Sequence, residues 1–217
     1  MTVTLLKTDT AQPFDGYRRY LPLVSDERKE RIARLRRDRD KTVSLFTELL
    51  IRLEISRTLA IPAGRIKLGC GDKGKPFLAG QEGYHFSVSH SDGLIAFVGG
   101  AAPLGIDIQR MDGGAHPAER FFAQGEREHI RRAPRADAAF FEVWTAKEAY
   151  VKLLGAGLSK SFRSFDVIND DIGCSFFTRE LDGYMLTVCC EAVAGAPEIR
   201  EMRLSDLLCI LDGTGKM

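Results

Sequence analysis

Two carboxylates and a small group of cations and hydroxyls in this chain have the types and spacing for acid–base or cation-assisted chemistry. Glu148 and Lys152 stand four residues apart in the apolar stretch Trp144–Leu158, so on a helix they are neighbours on one face. Lys147 adds a second ammonium, and Gly155-Ala156-Gly157 forms a glycine-rich stop that puts Glu148 and Lys152 in the last turns. Glu before Lys at this spacing is also an ordinary surface ion pair, worth about 0.3–0.5 kcal/mol. A second acid lies in Leu104-Gly105-Ile106-Asp107-Ile108-Gln109, where strict alternation turns Leu104, Ile106 and Ile108 toward a core and Asp107 and Gln109 to the other side. Gly105 leaves room beside Asp107 for another backbone or a ligand. The plain alternative is a strand-end carboxylate facing water.

A third element, Tyr84–Gly93, alternates and closes in an Asp92-Gly93 turn before Leu94-Ile95-Ala96-Phe97-Val98, the pattern of a β-hairpin. Ser89, His90 and Ser91 cluster at its tip as donors suited to an anion such as phosphate, although such residues are also common turn chemistry. A hydrolase triad does not fit. The chain lacks a Gly-x-Ser-x-Gly elbow, and adjacent Ser and His on a strand point to opposite faces.

Gly69-Cys70-Gly71-Asp72-Lys73-Gly74-Lys75-Pro76 nearly satisfies the phosphate-loop pattern but ends in Pro76, which has neither a hydroxyl for Mg²⁺ nor an amide donor. A flexible turn into a strand at Phe77-Leu78 is the simple reading. Upstream, Ser25 followed by Asp26 and Glu27 predicts a helix N-cap with acids in the first turn. Ile32, Leu35, Phe46, Leu50 and Leu53 continue the helical signal until Ile61-Pro62 interrupts it. Arg28, Lys29, Arg31, Arg34, Arg36, Arg37, Arg39 and Lys41 lie among them, diluted by Glu30, Asp38 and Asp40. With 31 Lys and Arg against 30 Asp and Glu, the chain is near neutral, which argues against a nucleic-acid surface and favours a solvated helix face for most of these residues.

At 217 residues and 44% hydrophobic, the chain can bury a substantial core as one large or two small domains. Cys70, Cys174, Cys189, Cys190 and Cys209 show no Cys-x-x-Cys spacing and no partnership with His that marks zinc. An odd count without a secretory leader, and no run approaching a membrane span, predict a soluble cytoplasmic protein with reduced thiols. There is no low-complexity linker and no identity-level repeat.

Taken in order, Gly74-Lys75-Pro76, Phe86-Ser87-Val88-Ser89-His90-Ser91, Gly105-Ile106-Asp107-Ile108-Gln109 and Trp144-x-x-Lys147-Glu148-Ala149-x-x-Lys152 with Gly155-x-Gly157-Leu158 resemble the 4′-phosphopantetheinyl transferases of the monomeric, surfactin-synthetase-activating type. The resemblance runs from about Ser25 to Leu158. It implies an α+β fold of two similar α/β halves related by pseudo-twofold symmetry, with coenzyme A in the cleft between them. The division falls near Ala101-Ala102-Pro103, giving halves 1–103 and 104–217, the second with late strands at Phe162–Val167, Ser175–Arg179 and Tyr184–Cys190.

The implied activity moves the phosphopantetheine arm of coenzyme A onto a serine of an apo acyl or peptidyl carrier protein and releases adenosine 3′,5′-bisphosphate. Fatty-acid, polyketide and nonribosomal-peptide carriers all present such a serine. Transfer from a pyrophosphate to a hydroxyl needs a divalent cation, carboxylates to hold it and a base near the hydroxyl. Mg²⁺ suits two carboxylates, and Mn²⁺ suits the same oxygens. By resemblance, Asp107 is a metal ligand, and Glu148 is a metal ligand that acts as, or positions, the base. Lys152 is a cation near the phosphates or the serine, and Ser89 and His90 contact the coenzyme A phosphates. Lys75 becomes a cation at the nucleotide, with the backbone of Lys73, Gly74 and Pro76 nearby, and Arg28, Arg31 and Ser44 lie near the 3′-phosphate.

Two positions depart from the family pattern. Gln109 stands where a third acidic ligand is usual, so either its amide oxygen or a water completes the site, and Val43 replaces an arginine beside Ser44. Glu119–Glu128 resembles the family's Arg-Phe-Phe-x3-Glu segment; Phe121 and Phe122 are expected in the core, with a carrier helix docking near Arg120, Phe122 and Arg127 if the region is exposed. The rivals are a protein that binds coenzyme A without transferring anything and a nucleic-acid module built on the arginine-rich helix.

Overall fold

The computed structural model describes residues 1–112, 120–157, 160–191 and 195–213. Glu119 and Leu158, named above, lie outside the described residues. In chain order the elements are β1 (Thr2–Lys7), a run of 3₁₀ turns at Phe14–Leu23, α1 (Asp26–Arg34), α2 (Asp38–Leu59), β2 (Leu68–Cys70), β3 (Pro76–Leu78), β4 (His85–Ser91), β5 (Leu94–Gly100) and β6 (Leu104–Arg110). There follow α3 (Gln124–Arg132), α4 (Ala136–Leu154), β7 (Ser175–Leu181), β8 (Tyr184–Cys190), β9 (Glu198–Met202) and α5 (Leu204–Gly213).

Local signals account for most boundaries. Ser25 caps α1 by accepting the Arg28 amide at 3.2 Å. The predicted single helical stretch breaks at Leu35–Arg37, and α2 starts afresh at Asp38. Residues 42–55 of α2 are buried on every side, so this helix runs through the core while the basic residues precede its buried body. Asp92 and Gly93 both take positive φ (47° and 83°), the backbone that joins β4 to β5 in a two-residue hairpin turn. Asp182-Gly183 repeats that turn between β7 and β8. The strand expected at Phe162–Val167 is absent: Phe162–Ser164 is a 3₁₀ turn whose carbonyl, with that of Phe165, serves a buried lysine instead of a strand ladder.

The main sheets are β4-β5-β1-β9 and β6-β8-β7, with β2 and β3 forming a small hairpin. In each main sheet an opening strand pairs antiparallel with the second strand of a later hairpin, β1 with β5 and β6 with β8. Alternation then builds layers. Leu6, Phe86, Ile95 and Phe97 face Phe46, Leu49 and Leu50 of α2. Val3, Leu5, Ala96 and Val98 turn the other way and meet Leu104, Ile106, Ile108, Leu186 and Val188. The opposite face of β6 and β8 is covered by α4. The order is helix, sheet, sheet, helix.

No β-ladder joins β4 to β6 among the described residues; serine hydroxyls make the seam, Ser87 accepting the Ile106 amide at 3.1 Å and Ser91 the Arg110 amide at 3.0 Å. The chain end departs from the 104–217 grouping. β9 adds to β1 in parallel, and Leu207 and Leu211 of α5 join the α2 core. No helix among the described residues is long and apolar enough to cross a membrane.

Candidate active site

Gly105 sets the geometry of the site. A Cβ there would sit 2.6 Å from the Leu153 amide nitrogen and closer still to the Ala149 carbonyl oxygen, so only glycine lets α4 settle onto β6. Thr145 and Thr187 pin the same packing with a 2.7 Å hydroxyl contact, and Thr187 lies opposite Asp107 in the ladder. The alternation expected of β6 holds, but Asp107 faces α4 instead of water and is buried.

Asp107 Oδ1 accepts Ser89 Oγ at 2.7 Å and Lys152 Nζ at 2.7 Å, while Ser89 Oγ also accepts Lys152 Nζ at 2.8 Å. This triangle joins β4, β6 and α4. The other oxygen, Oδ2, has no protein hydrogen-bond partner among the described residues. Glu148, one turn before Lys152, is half-buried and likewise has no hydrogen bond or ion pair from its carboxylate among the described residues. Loss of water raises its pKa, the nearby Asp107 charge raises it further, and Lys152 opposes both.

Lys147 and Lys152 separate completely. Lys147 is buried, and its ammonium meets Glu126 Oε1, the Phe162 carbonyl and the Phe165 carbonyl at 2.7 Å each. All three of its hydrogens are thus used, and it anchors α4 from behind. Lys152 points into the site.

A cavity of about 690 Å³ runs from Asp107, Gln109, Glu148 and Lys152 to Arg28 and Arg31. Adjacent residues on β4 serve different parts of the recess, because strand alternation turns them apart. Ser89 faces Asp107, while His90 also lines a smaller pocket of about 240 Å³ with Arg28, Arg31 and Ser44. Removal of water lowers the His90 pKa, and Lys152, Arg31 and Arg28 lower it further, which favours the neutral ring.

Arg28 is held at only 16% side-chain exposure by Glu48 at 3.1 Å and by Ser44 Oγ at 3.3 Å, so Ser44 positions this cation. Glu48 was not singled out from sequence. Burial pushes its carboxyl up, but the Ser25 amide, Arg52 and then Arg28 more than offset that and hold it below the usual range. A lone carboxylate in Leu45-Phe46-Thr47-Glu48-Leu49-Leu50, four residues before Arg52, was the available signal.

A second cavity, about 730 Å³, shares Gly74, Pro76, Trp144, Glu148 and Lys152 with the first and extends past Lys73, Phe121 and Lys160. The expected pair of core aromatics splits. Phe122, 1% exposed, packs on Phe140, Trp144 and Phe162, whereas Phe121 is 49% exposed beneath the Arg120 guanidinium, 4.9 Å from its ring centre. Lys75 lines this second cavity as well, and its ammonium donates to the carbonyls of Leu104 at 3.1 Å and Leu153 at 3.0 Å.

Residues 103–197 match the family model described as 4′-phosphopantetheinyl transferase superfamily, and residues 12–102 match 4′-phosphopantetheinyl transferase, N-terminal. The chain is 31% identical over 203 residues to 4′-phosphopantetheinyl transferase psf-1 of Bacillus pumilus, covering 86% of this chain and 87% of that relative. This chain belongs to the 4′-phosphopantetheinyl transferase superfamily. It is also 28% identical to 4′-phosphopantetheinyl transferase Sfp of Bacillus subtilis (strain 168), over 79% of this chain and 84% of that protein. Similarity to 4′-phosphopantetheinyl transferase gsp of Aneurinibacillus migulanus reaches 36% over 65% of this chain and 60% of the relative.

Within this transferase chain two carboxylates and an amide would be the donor set for a cation. Among the described residues no cluster of three or more His, Cys, Asp and Glu side chains has the arrangement of a metal cage. Asp107, Glu148 and the Gln109 amide all line one cavity, a set that fits a hard cation taking one or two carboxylates and keeping several waters.

Proposed function

We propose that this transferase moves the 4′-phosphopantetheine arm of coenzyme A to a serine of an apo acyl or peptidyl carrier protein, and that Asp107 and Glu148 organise the reacting centre. The observation that carries this reading is the meeting of an acid-bearing strand and an acid-bearing helix in a cavity that ends in an arginine pocket. The serine oxygen bonds to the phosphorus bearing pantetheine, and the bond from that phosphorus to the bridging oxygen breaks. Adenosine 3′,5′-bisphosphate leaves with the bond's electrons, and the serine proton passes to a base.

Glu148 suits the base or its positioning group: it is unpaired by any protein donor among the described residues, and its raised pKa strengthens it as an acceptor. Asp107, Glu148 and the Gln109 amide or a water would hold Mg²⁺, with Mn²⁺ the alternative. When bound, such an ion screens diphosphate charge. Ser89, neutral His90 and Lys152 supply donors for the diphosphate, Arg28 and Arg31 supply cations for the 3′-phosphate, and the Lys73–Pro76 backbone borders the nucleotide end.

The repeated connectivity of the two sheets supports two pseudo-twofold halves with coenzyme A between them; a cytoplasmic monomer is the proposed setting. For the carrier, exposed Phe121 under Arg120, with Lys160 and Lys73 nearby, suits an apolar contact rimmed by cations against an acidic helix. Purified chain, coenzyme A, Mg²⁺ and a panel of apo carriers test the reading by mass spectrometry. Addition of one phosphopantetheine to the carrier serine is expected; coenzyme A binding without that gain on any carrier favours the non-catalytic binder.

A further inference from the structure

Resting on the transferase reading, we infer that Lys75 is a positioning residue: its ammonium braces the strand that carries Asp107 against the helix that carries Glu148 and Lys152. Leu153 lies in the last turn of α4, where carbonyl oxygens lack intrahelical partners and attract a cation. On β6 the amides of Ile106 and Arg110 point to the seam with β4, away from the β8 ladder. In an antiparallel strand the carbonyl of a residue shares the side of its amide, so Leu104, in phase with them, presents its oxygen to that same unladdered edge. Both oxygens would be left wanting at the join of two elements. Lys75 Nζ takes Leu104 O at 3.1 Å and Leu153 O at 3.0 Å.

The bonds fall three residues before Asp107 and immediately after Lys152, so one ammonium fixes the separation of the cation-binding strand and helix close to their functional side chains. It does so from the β2–β3 loop, whose Gly74 and Pro76 line both large cavities. The loop at the nucleotide end is therefore tied to the elements bearing the acids. Two of its three ammonium hydrogens are spent on protein carbonyls, so the cation serves this join even where Lys75 lines the second cavity. Burial lowers the Lys75 pKa while Glu191 opposes the shift, as expected of a lysine drawn into an interior join.

The test compares Lys75→Met, which keeps the stem but removes the charge, with Lys75→Arg, which retains a cationic donor. Coenzyme A affinity is read from the fluorescence of Trp144, the single tryptophan, which lines both cavities. The kcat is read at saturating coenzyme A and carrier, and Tm is recorded alongside. The brace predicts that Lys75→Met lowers kcat roughly tenfold to a hundredfold, with coenzyme A affinity within about threefold of the parent, and that Lys75→Arg restores most of the loss. Affinity lost at least tenfold with unchanged kcat would overturn it in favour of a nucleotide contact. Unchanged kcat and affinity, or no recovery in Lys75→Arg when both variants are folded, would overturn it too. If Lys75→Met does not fold, Lys75→Gln replaces it, judged by the same split. Absence of transfer by the parent chain would instead overturn the transferase reading, while the binding measurement still reports on Lys75.

Discussion

Of the two carboxylate oxygens of Asp107, one is committed to Ser89 and Lys152 and the other, without a protein partner among the described residues, is the one proposed to meet a cation, whereas Gln109 brings only a neutral amide to the same cavity. Mg²⁺ needs few protein carboxylates and accepts water at its remaining positions. Asp107→Ala is therefore expected to cost roughly 10²-fold or more in Mg²⁺-dependent transfer, and Gln109→Ala only a few-fold; a similar collapse of both would show that the amide is an obligate ligand. Glu148 allows a test that needs no substrate. Its pKa is raised by desolvation first and by Asp107 second, so the folded chain keeps this proton at pH values where the unfolded chain has lost it. Stability then falls as pH rises from the ordinary carboxylate value through the folded one, and ionised Glu148 is a cost at neutral pH. Glu148→Gln should raise Tm at about pH 8 and lose that advantage near pH 4, while abolishing transfer. A Tm below the parent's at pH 8 contradicts this account of Glu148.

Elements bring these side chains together, and here β6 and α4 matter most. Gly105→Ala places a methyl group against the backbone of Ala149 and Leu153, which cannot swing aside as a side chain could. Overpacking of this kind costs about 1–3 kcal/mol, and a helix displaced by even ~1 Å can cost 10²-fold in rate. We expect Gly105→Ala to fold with a lowered Tm and to lose activity far beyond that change; full activity in a folded variant would mean that close packing of α4 on β6 is not required. Strand alternation in Leu104–Gln109, the Asp92-Gly93 turn and the glycine stop after Leu154 were legible because each depends on neighbouring residues alone. The identity of the backbone Gly105 admits, the hydroxyl seam between β4 and β6 and the destination of the Lys75 ammonium were not, because each partner comes from a distant element. Phe162–Val167 misled for the same reason: its apolar residues serve the Lys147 anchor and an aromatic cluster, with no neighbouring strand to pair. Of the two adjacent phenylalanines, only packing separates the buried one from the exposed one.

On the scale of the whole molecule, two sheets packed face to face carry their helices on the outside, and the chain end returns as β9 and α5 to complete the first layer. The cavities open along the line where β4, β6 and α4 meet, so the site depends on residues from both parts of the chain. Carrier recognition belongs at this scale. Phe121→Ala and Arg120→Ala are expected to raise the KM for carrier about tenfold, the loss of one good interface contact, with coenzyme A affinity unchanged. Unchanged carrier kinetics in both would remove this face as the docking surface, and Phe122→Ala should instead act by lowering Tm.

The central claim is that Asp107 and Glu148 hold one divalent ion between them. Electron paramagnetic resonance of Mn²⁺ titrated into the coenzyme A-loaded chain addresses it most directly, with Asp107→Asn and Glu148→Gln alongside. The account predicts one bound Mn²⁺ in the parent chain and at least a tenfold loss of affinity in each variant. Undiminished Mn²⁺ binding in either variant, or no bound ion in the parent, would contradict it.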